Sequence, residues 1–473
     1  MTDSRYQASE VHPAEDVCFD AALISRYGGR GPRYTSYPTA LQFSENFTAV
    51  EYRHHAALSN AGSRPLSLYV HIPFCESLCY YCACNKVVTR NQDRIKHYLE
   101  HLDHEIEMQA ELFDDRRVVE QLHLGGGTPT YLEDQQLRDL MAKIRREFRL
   151  ETSDKREFSI EVDPRTVSAH TIALLAALGF NRMSLGIQDF DAAVQIAVNR
   201  LQTAGDVADI VEQSRQQGFK SISFDLIYGL PHQTVESFDR TLDQVISMRP
   251  DRLAIYNYAH LPARFKSQRM IKDSEIPNPT TKLRILHHTI DKLSAAKYCY
   301  VGMDHFAVAT DDLVLAQRNG TLQRNFQGYS THGDCDLVAL GASAISHIGN
   351  AYAQNATSTP EYESLISTGR LAITKGIEVD DDDRLRALII QELMCHDRFD
   401  IRQFERTHRI DFAGYFTSEL SRLQALHEDE LIVLNCDSIR ITPKGRLLLR
   451  SIAMIFDRYL PAISSDNRFS HAI

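Results

Sequence analysis

Six β-prone runs, each followed by a polar or glycine-rich motif and then by an amphipathic run, constrain this chain more than any other feature. The strand candidates are 67–74, 119–124, 157–162, 182–187, 221–227 and 252–258. Between them, apolar residues recur at helical spacing, as in Ile95, Tyr98, Leu99, Leu102 and Ile106, or Leu137, Leu140, Met141 and Ile144. Further helices are expected at 166–178, 204–217, 234–247 and 278–296. Repeated β-α units predict an α/β fold, a parallel sheet with helices packed outside it. Periodicity leaves open whether that sheet stays open or curls into a barrel.

Functional groups of parallel barrels collect on the loops leaving the C-terminal strand ends, and here the motifs fall at that one end. The first strand leads into His71-Ile72-Pro73-Phe74-Cys75-Glu76-Ser77-Leu78-Cys79-Tyr80-Tyr81-Cys82-Ala83-Cys84, the second into Gly125-Gly126-Gly127-Thr128-Pro129-Thr130. The third ends in Glu161-Val162-Asp163-Pro164 and the fourth in Gly186-Ile187-Gln188, while the fifth carries Asp225 and the sixth ends in Asn257-Tyr258-Ala259-His260. Four of the nine cysteines lie in the first motif. Thiolates on such a loop suit zinc or an iron–sulfur cluster. Zinc usually takes four ligands, often as two Cys-x-x-Cys pairs, and a second pair is missing from the chain. The remaining cysteines, Cys18, Cys299, Cys335, Cys395 and Cys436, are scattered and read as packed or surface residues.

Beyond the motifs, 473 residues suffice for two or three domains. The formal charge of −11 argues against a nonspecific nucleic-acid binder. No apolar run reaches membrane-spanning length, and the polar stretch from Met1 to Asp20 lacks a signal-peptide pattern, so a reducing cytoplasm is expected. Residues 1–60 read as an extension whose Gly-, Pro- and Tyr-rich part, 27–39, should lie over the active site. Residues 61–370 hold the β-α units and a segment rich in Gly, His, Asn and Gln; 371–473 read as a smaller, mostly helical, winged-helix-like domain with a hairpin near 430–442 and a final helix at 444–460. That domain has no basic recognition helix.

The spacing Cys75-x-x-x-Cys79-x-x-Cys82, with Tyr81 just before the third cysteine, resembles the signature of radical S-adenosylmethionine (SAM) enzymes. The resemblance implies an incomplete (β/α)6 barrel. It also implies a [4Fe–4S] cluster held by Cys75, Cys79 and Cys82, with the fourth iron chelated by SAM, which is cleaved to a 5′-deoxyadenosyl radical. Cys84 is then assigned to the surroundings of the cluster. The motifs after strands one, two, three and five, with Pro32-Arg33-Tyr34-Thr35-Ser36-Tyr37-Pro38-Thr39 and Gln323-Arg324-Asn325-Phe326-Gln327-Gly328-Tyr329-Ser330-Thr331, are similar to the oxygen-independent coproporphyrinogen III oxidase family, from about Tyr27 to the final helix. Related haem chaperones share the barrel motifs but not the last two segments.

By that resemblance Tyr69, Gly126 and Glu161 would contact the SAM at the cluster. A second SAM would meet Tyr81, Gly127, Thr128, Gln188, Arg200, Asp225, Ala259 and Ile345. The implied reaction turns two propionates of coproporphyrinogen III into vinyl groups, giving protoporphyrinogen IX, with electrons from a flavodoxin-type donor and the enzyme a monomer. A haem-binding chaperone and a radical SAM enzyme with another substrate are the alternatives.

Overall fold

The computed structural model describes residues 17–460; the first sixteen residues of the expected extension, and the chain after Leu460, lie outside the described residues. The six expected strands are present as β1 (Leu66–Ile72), β2 (Val118–Gly126), β3 (Glu157–Val162), β4 (Arg182–Gln188), β5 (Ser221–Tyr228) and β6 (Arg252–Asn257). They pair in chain order, every pair parallel. Alternation along each strand explains the layering. Leu68, Val70, Leu122, Leu124, Phe158 and Ile160 are buried in the main core, where the helices cover the sheet. Tyr69, His123 and Ser159 sit at paired positions on the other face. Helix α1 (Gln92–Ala110), for instance, buries Ile95, Tyr98, Leu102 and Ile106, the stripe its sequence spells out. Asn91 caps it, accepting from Asp93 and Arg94.

The sheet does not close on itself and is longer than six strands. Beyond β6 it continues through β8 (His305–Val308) to β7 (Tyr298–Gly302), both antiparallel additions. A hairpin of β9 (Gln323–Asn325) and β10 (Gly328–Ser330) follows. The chain then returns to the opposite edge, where β11 (Asp336–Leu340) pairs parallel with β1. After it come β12 (Ile345–Ile348), β13 (Ala351–Asn355) and β14 (Ile373–Glu378). The result is an incomplete (β/α)6 barrel with added strands on both edges. The expected division at residue 371 falls just ahead of β14, which is a strand of this same sheet.

After β14 comes a mostly helical region with the three-stranded sheet β15 (Arg398–Asp400), β16 (Ile432–Leu434) and β17 (Ser438–Ile441). The final helix expected at 444–460 is instead three short turns, Arg446–Leu448, Leu449–Ala453 and Met454–Phe456. Arg446 and Arg450 are buried there and donate to the carbonyls of Tyr300 and Pro32. Their side chains are thus turned inward, which a charge-outward reading of a regular helix misses.

The N-terminal strap belongs to this same core. Tyr34 and Tyr37 pack in one cluster with Phe399, Phe404, Phe412, Phe416 and Phe456. Tyr34 Oη donates to Asp457 at 2.9 Å, and Tyr37 Oη accepts the Arg458 N–H at 3.0 Å. Among the described residues no helix is long and apolar enough to cross a membrane.

Candidate cluster and cofactor site

A cavity of about 330 Å³ opens at the C-terminal ends of β1 to β5. It is lined by Cys75, Cys79 and Cys82 with Tyr81, Gly126, Gly127, Thr128, Glu161, Gln188, Arg200 and Asp225. The structure thus brings eleven of the fourteen expected site residues to one place. Tyr69 and Ile345 line an adjoining cavity, which shares Cys84, Gly126 and Glu161 with the first. Ala259 lies elsewhere, against a cavity bordered by Arg33 and Tyr258. It is coupled to the cysteine loop through Gln268, whose Nε2 donates to both the Tyr81 carbonyl (3.0 Å) and the Ala259 carbonyl (3.2 Å). Gln268 escaped the sequence reading because a glutamine within a short 3-10 turn carries no signal of its own.

The glycine triplet is held by the backbone of the cysteine loop. Gly127 N–H donates to Ile72 and Thr128 N–H to Phe74, each at 2.8 Å. A Cβ on Gly127 would meet the Phe74 and Pro73 carbonyls at 2.7 Å, and one on Gly126, at φ +113°, would meet the His71 ring at 2.5 Å. Two of the three glycines are thus demanded by the protein's own packing. His71 itself bridges Tyr69 Oη (3.1 Å) and the Asn85 carbonyl (3.0 Å), clamping the loop beyond the cysteines.

Positive charge converges on the thiols. Arg165 Nη2 and Arg200 Nη1 each lie 3.6 Å from Cys79 Sγ, and Thr128 Oγ1 donates to Cys75 Sγ at 3.4 Å. Both arginines are anchored by Asp163, at 2.7 and 3.0 Å. Asp163, which as an Asp-Pro pair reads like a simple turn residue, is therefore the fixed point of this arrangement. Burial raises the Cys75 thiol to about 11. Cys82 is shifted the other way by its hydrogen bond with Cys84 and by Lys86, while Cys84 is raised in turn.

Glu161 accepts from the Gly126 N–H at 3.0 Å and from His123 at 3.3 Å; burial favours its neutral form, but His123 and Gly126 outweigh that and hold it below the usual carboxylate range. Asp225 goes the other way: burial raises it to about 7 although Ser184 donates to it at 2.8 Å.

These features fit an iron–sulfur cube. Three cysteines share one cavity, and guanidinium and hydroxyl donors meet two of the sulfurs, as a negatively charged thiolate cluster requires. Among the described residues no three His, Cys, Asp or Glu side chains converge as the ligands of a single ion would. A cube takes its thiolates at separate corners, so three cysteines around one cavity suit it.

An incomplete (β/α)6 barrel with this cysteine loop after its first strand defines a radical SAM enzyme, and residues 69–245 match the model of the radical SAM superfamily. Residues 379–448 match the HemN C-terminal domain. The chain is 50% identical over 459 residues to the oxygen-independent coproporphyrinogen III oxidase of Pseudomonas aeruginosa, covering 97% of this chain and 100% of that one. Against the enzyme of the same name from Escherichia coli it is 47% identical, covering 97% and 99%. The solved structure of the Escherichia coli coproporphyrinogen III oxidase HemN, a radical SAM enzyme, superposes with a TM-score of 0.90 at 46% identity, covering 94% of this chain and all of that one. The chain belongs to the family of oxygen-independent coproporphyrinogen III oxidases.

Proposed function

We propose that this enzyme oxidatively decarboxylates two propionate side chains of coproporphyrinogen III to vinyl groups without oxygen, giving protoporphyrinogen IX for haem synthesis. The observation that carries the reading is the three-cysteine cavity at the barrel mouth in a chain that matches coproporphyrinogen III oxidases along almost their whole length. When bound, the [4Fe–4S] cluster and SAM supply a hydrogen-abstracting radical from one external electron. Cys75, Cys79 and Cys82 hold the cluster. Tyr69, Gly126 and Glu161 receive the SAM at the cluster, and the carboxylate of Glu161, kept ionised by His123 and Gly126, suits ribose hydroxyls or an ammonium group.

A second SAM is assigned to Tyr81, Gly127, Thr128, Gln188, Arg200, Asp225, Ala259 and Ile345. Arg200 has a prior engagement with Asp163 and the Gly186 carbonyl, so its part is to fix the floor of this site and the field around Cys79. The role of the residue shell is to bind, orient and exclude water; no side chain need act as a general base on the propionate. The electron comes from a flavodoxin-type donor, and the enzyme works as a cytoplasmic monomer.

The test is anaerobic turnover with coproporphyrinogen III, SAM and a reductant, with tetrapyrrole products separated after oxidation. Protoporphyrin formed together with 5′-deoxyadenosine supports the reading. SAM cleavage without any divinyl product, in a cluster-loaded enzyme, rejects it.

A further inference from the structure

A second cavity of about 330 Å³ lies between the N-terminal strap and the hairpin of β9 and β10. Its lining contains three arginines, Arg64, Arg324 and Arg384, two histidines, His332 and His347, and no carboxylate. Burial lowers His347 to about 4 and so keeps it neutral; the positive charge of the lining comes from the arginines, and positive groups without a carboxylate in the lining favour an anion. Arg384 has Asp381 at 2.8 Å on the outer surface. Arg324 is the buried member, 8% exposed. Its Nε donates to the Arg33 carbonyl at 3.2 Å, and its guanidinium lies 4.7 Å over the Tyr329 ring. Its Nη1 is buried and finds no acceptor among the described residues. Leaving such a donor unpaired is costly, and a structure retains it where a ligand or solvent completes it.

The cavity is joined to the chemistry by shared walls. Phe326 and Leu337 line both it and the cavity that holds Tyr69 and Ile345, which in turn shares Gly126 and Glu161 with the cysteine cavity. Tyr34, Tyr37 and Tyr352 add flat apolar faces. The geometry points to this cavity as the carboxylate-holding part of the substrate site, with Arg324 the fork that grips a propionate not undergoing reaction. An arginine fork matches a carboxylate bidentately, and aromatic walls suit the edge of a macrocycle. This inference rests on the coproporphyrinogen reading above. The two segments that line the cavity, 34–37 and 323–326, belong to the strap and to the hairpin of β9 and β10.

The experiment uses the full-length, cluster-loaded enzyme and two readouts. In steady-state turnover, Arg324→Met should raise KM for coproporphyrinogen III at least tenfold, with SAM cleavage in the absence of substrate unchanged and Arg324→Lys intermediate. In binding, the wild-type enzyme should take the free tetracarboxylate coproporphyrin III at least tenfold more tightly than its tetramethyl ester. A folded Arg324→Met enzyme with wild-type KM overturns the site alone. A wild-type enzyme that binds acid and ester alike overturns it whatever the variant does. Absence of any turnover of coproporphyrinogen by the wild type overturns the reading of the activity, and this site with it.

Discussion

Glu161 Oε2 accepts the backbone N–H of Gly126 at 3.0 Å, tying the end of β3 to the glycine triplet that ends β2. Both residues also border the cavity of the cysteines, so a change at the triplet can act on the carboxylate or on the cysteine loop, depending on which glycine is changed.

Gly125 and Gly127 should separate these effects. A Cβ on Gly125 meets Glu161 Oε1 at 2.8 Å and His123 Nε2 at 3.0 Å, both ends of side chains that can move. Gly125→Ala should keep the iron content and weaken SAM binding about tenfold, roughly 1.4 kcal/mol. On Gly127 the Cβ meets backbone of Pro73 and Phe74, which cannot give way without moving Cys75. Gly127→Ala should therefore lose iron as well as SAM affinity. Iron analysis and equilibrium titration of both variants check the contrast; equal loss of iron in the two would remove it.

Cys84 shares the cavity with the other thiols, so its exclusion from the cluster is a sharp expectation. Alanine at Cys75, Cys79 or Cys82 should abolish both the iron–sulfur absorbance and product formation. Alanine at Cys84 should retain a cluster. Near wild-type iron in a Cys79→Ala protein would contradict the assignment.

Asp225 gives the cluster-free protein a pH dependence. Its folded pKa, about 7, stands above the unfolded value of about 3.9. Below the unfolded value both states are protonated and nothing is lost. Between the two values the unfolded chain ionises first, so stability falls as pH rises toward 7. The loss is at most about 4 kcal/mol, less the screening by water that reaches a half-buried side chain. Asp225→Asn removes the charge, so the melting temperature of variant minus wild type should grow from pH 5 to pH 8. A pH-independent difference would mean that Asp225 is ionised throughout.

The six barrel strands were legible because each one alternates, with one face apolar and the other polar, and because turn residues mark each end. Glu157–Val162 was read to the residue. The edge strands were not. β7, β8 and β11 to β14 are four to six residues long, and β11 pairs with β1 across some 270 residues of chain. Nothing local in Asp336–Leu340 names that partner. That the cysteine loop, the triplet and Glu161 meet at one cavity was legible for the opposite reason: each follows one of the successive parallel strands, which puts them all at the same end of the sheet. Asp163 and Gln268 were missed because their importance lies in what they hold, Arg165 and Arg200 in one case and the Tyr81 and Ala259 carbonyls in the other.

The strap also changes what its removal should do. A surface loop read from sequence as a cover would be expected to leave the rest of the protein intact when deleted. In the structure Tyr34 and Tyr37 are buried in the aromatic core of the C-terminal region, and Arg324 and Arg450 find acceptors in the carbonyls of Arg33 and Pro32. Emptying each tyrosine site should cost on the order of 3 kcal/mol, and the stranded guanidinium donors add to that. Deleting the residues before Thr39 should therefore lower the melting temperature of the C-terminal region well below that of the barrel, splitting one unfolding transition into two. The cluster, held on β1 and its loop, should stay bound through the first transition. Calorimetry of the truncated and full-length enzymes, with iron measured after the first step, decides it: a single transition at the full-length temperature would make the strap a mere surface loop.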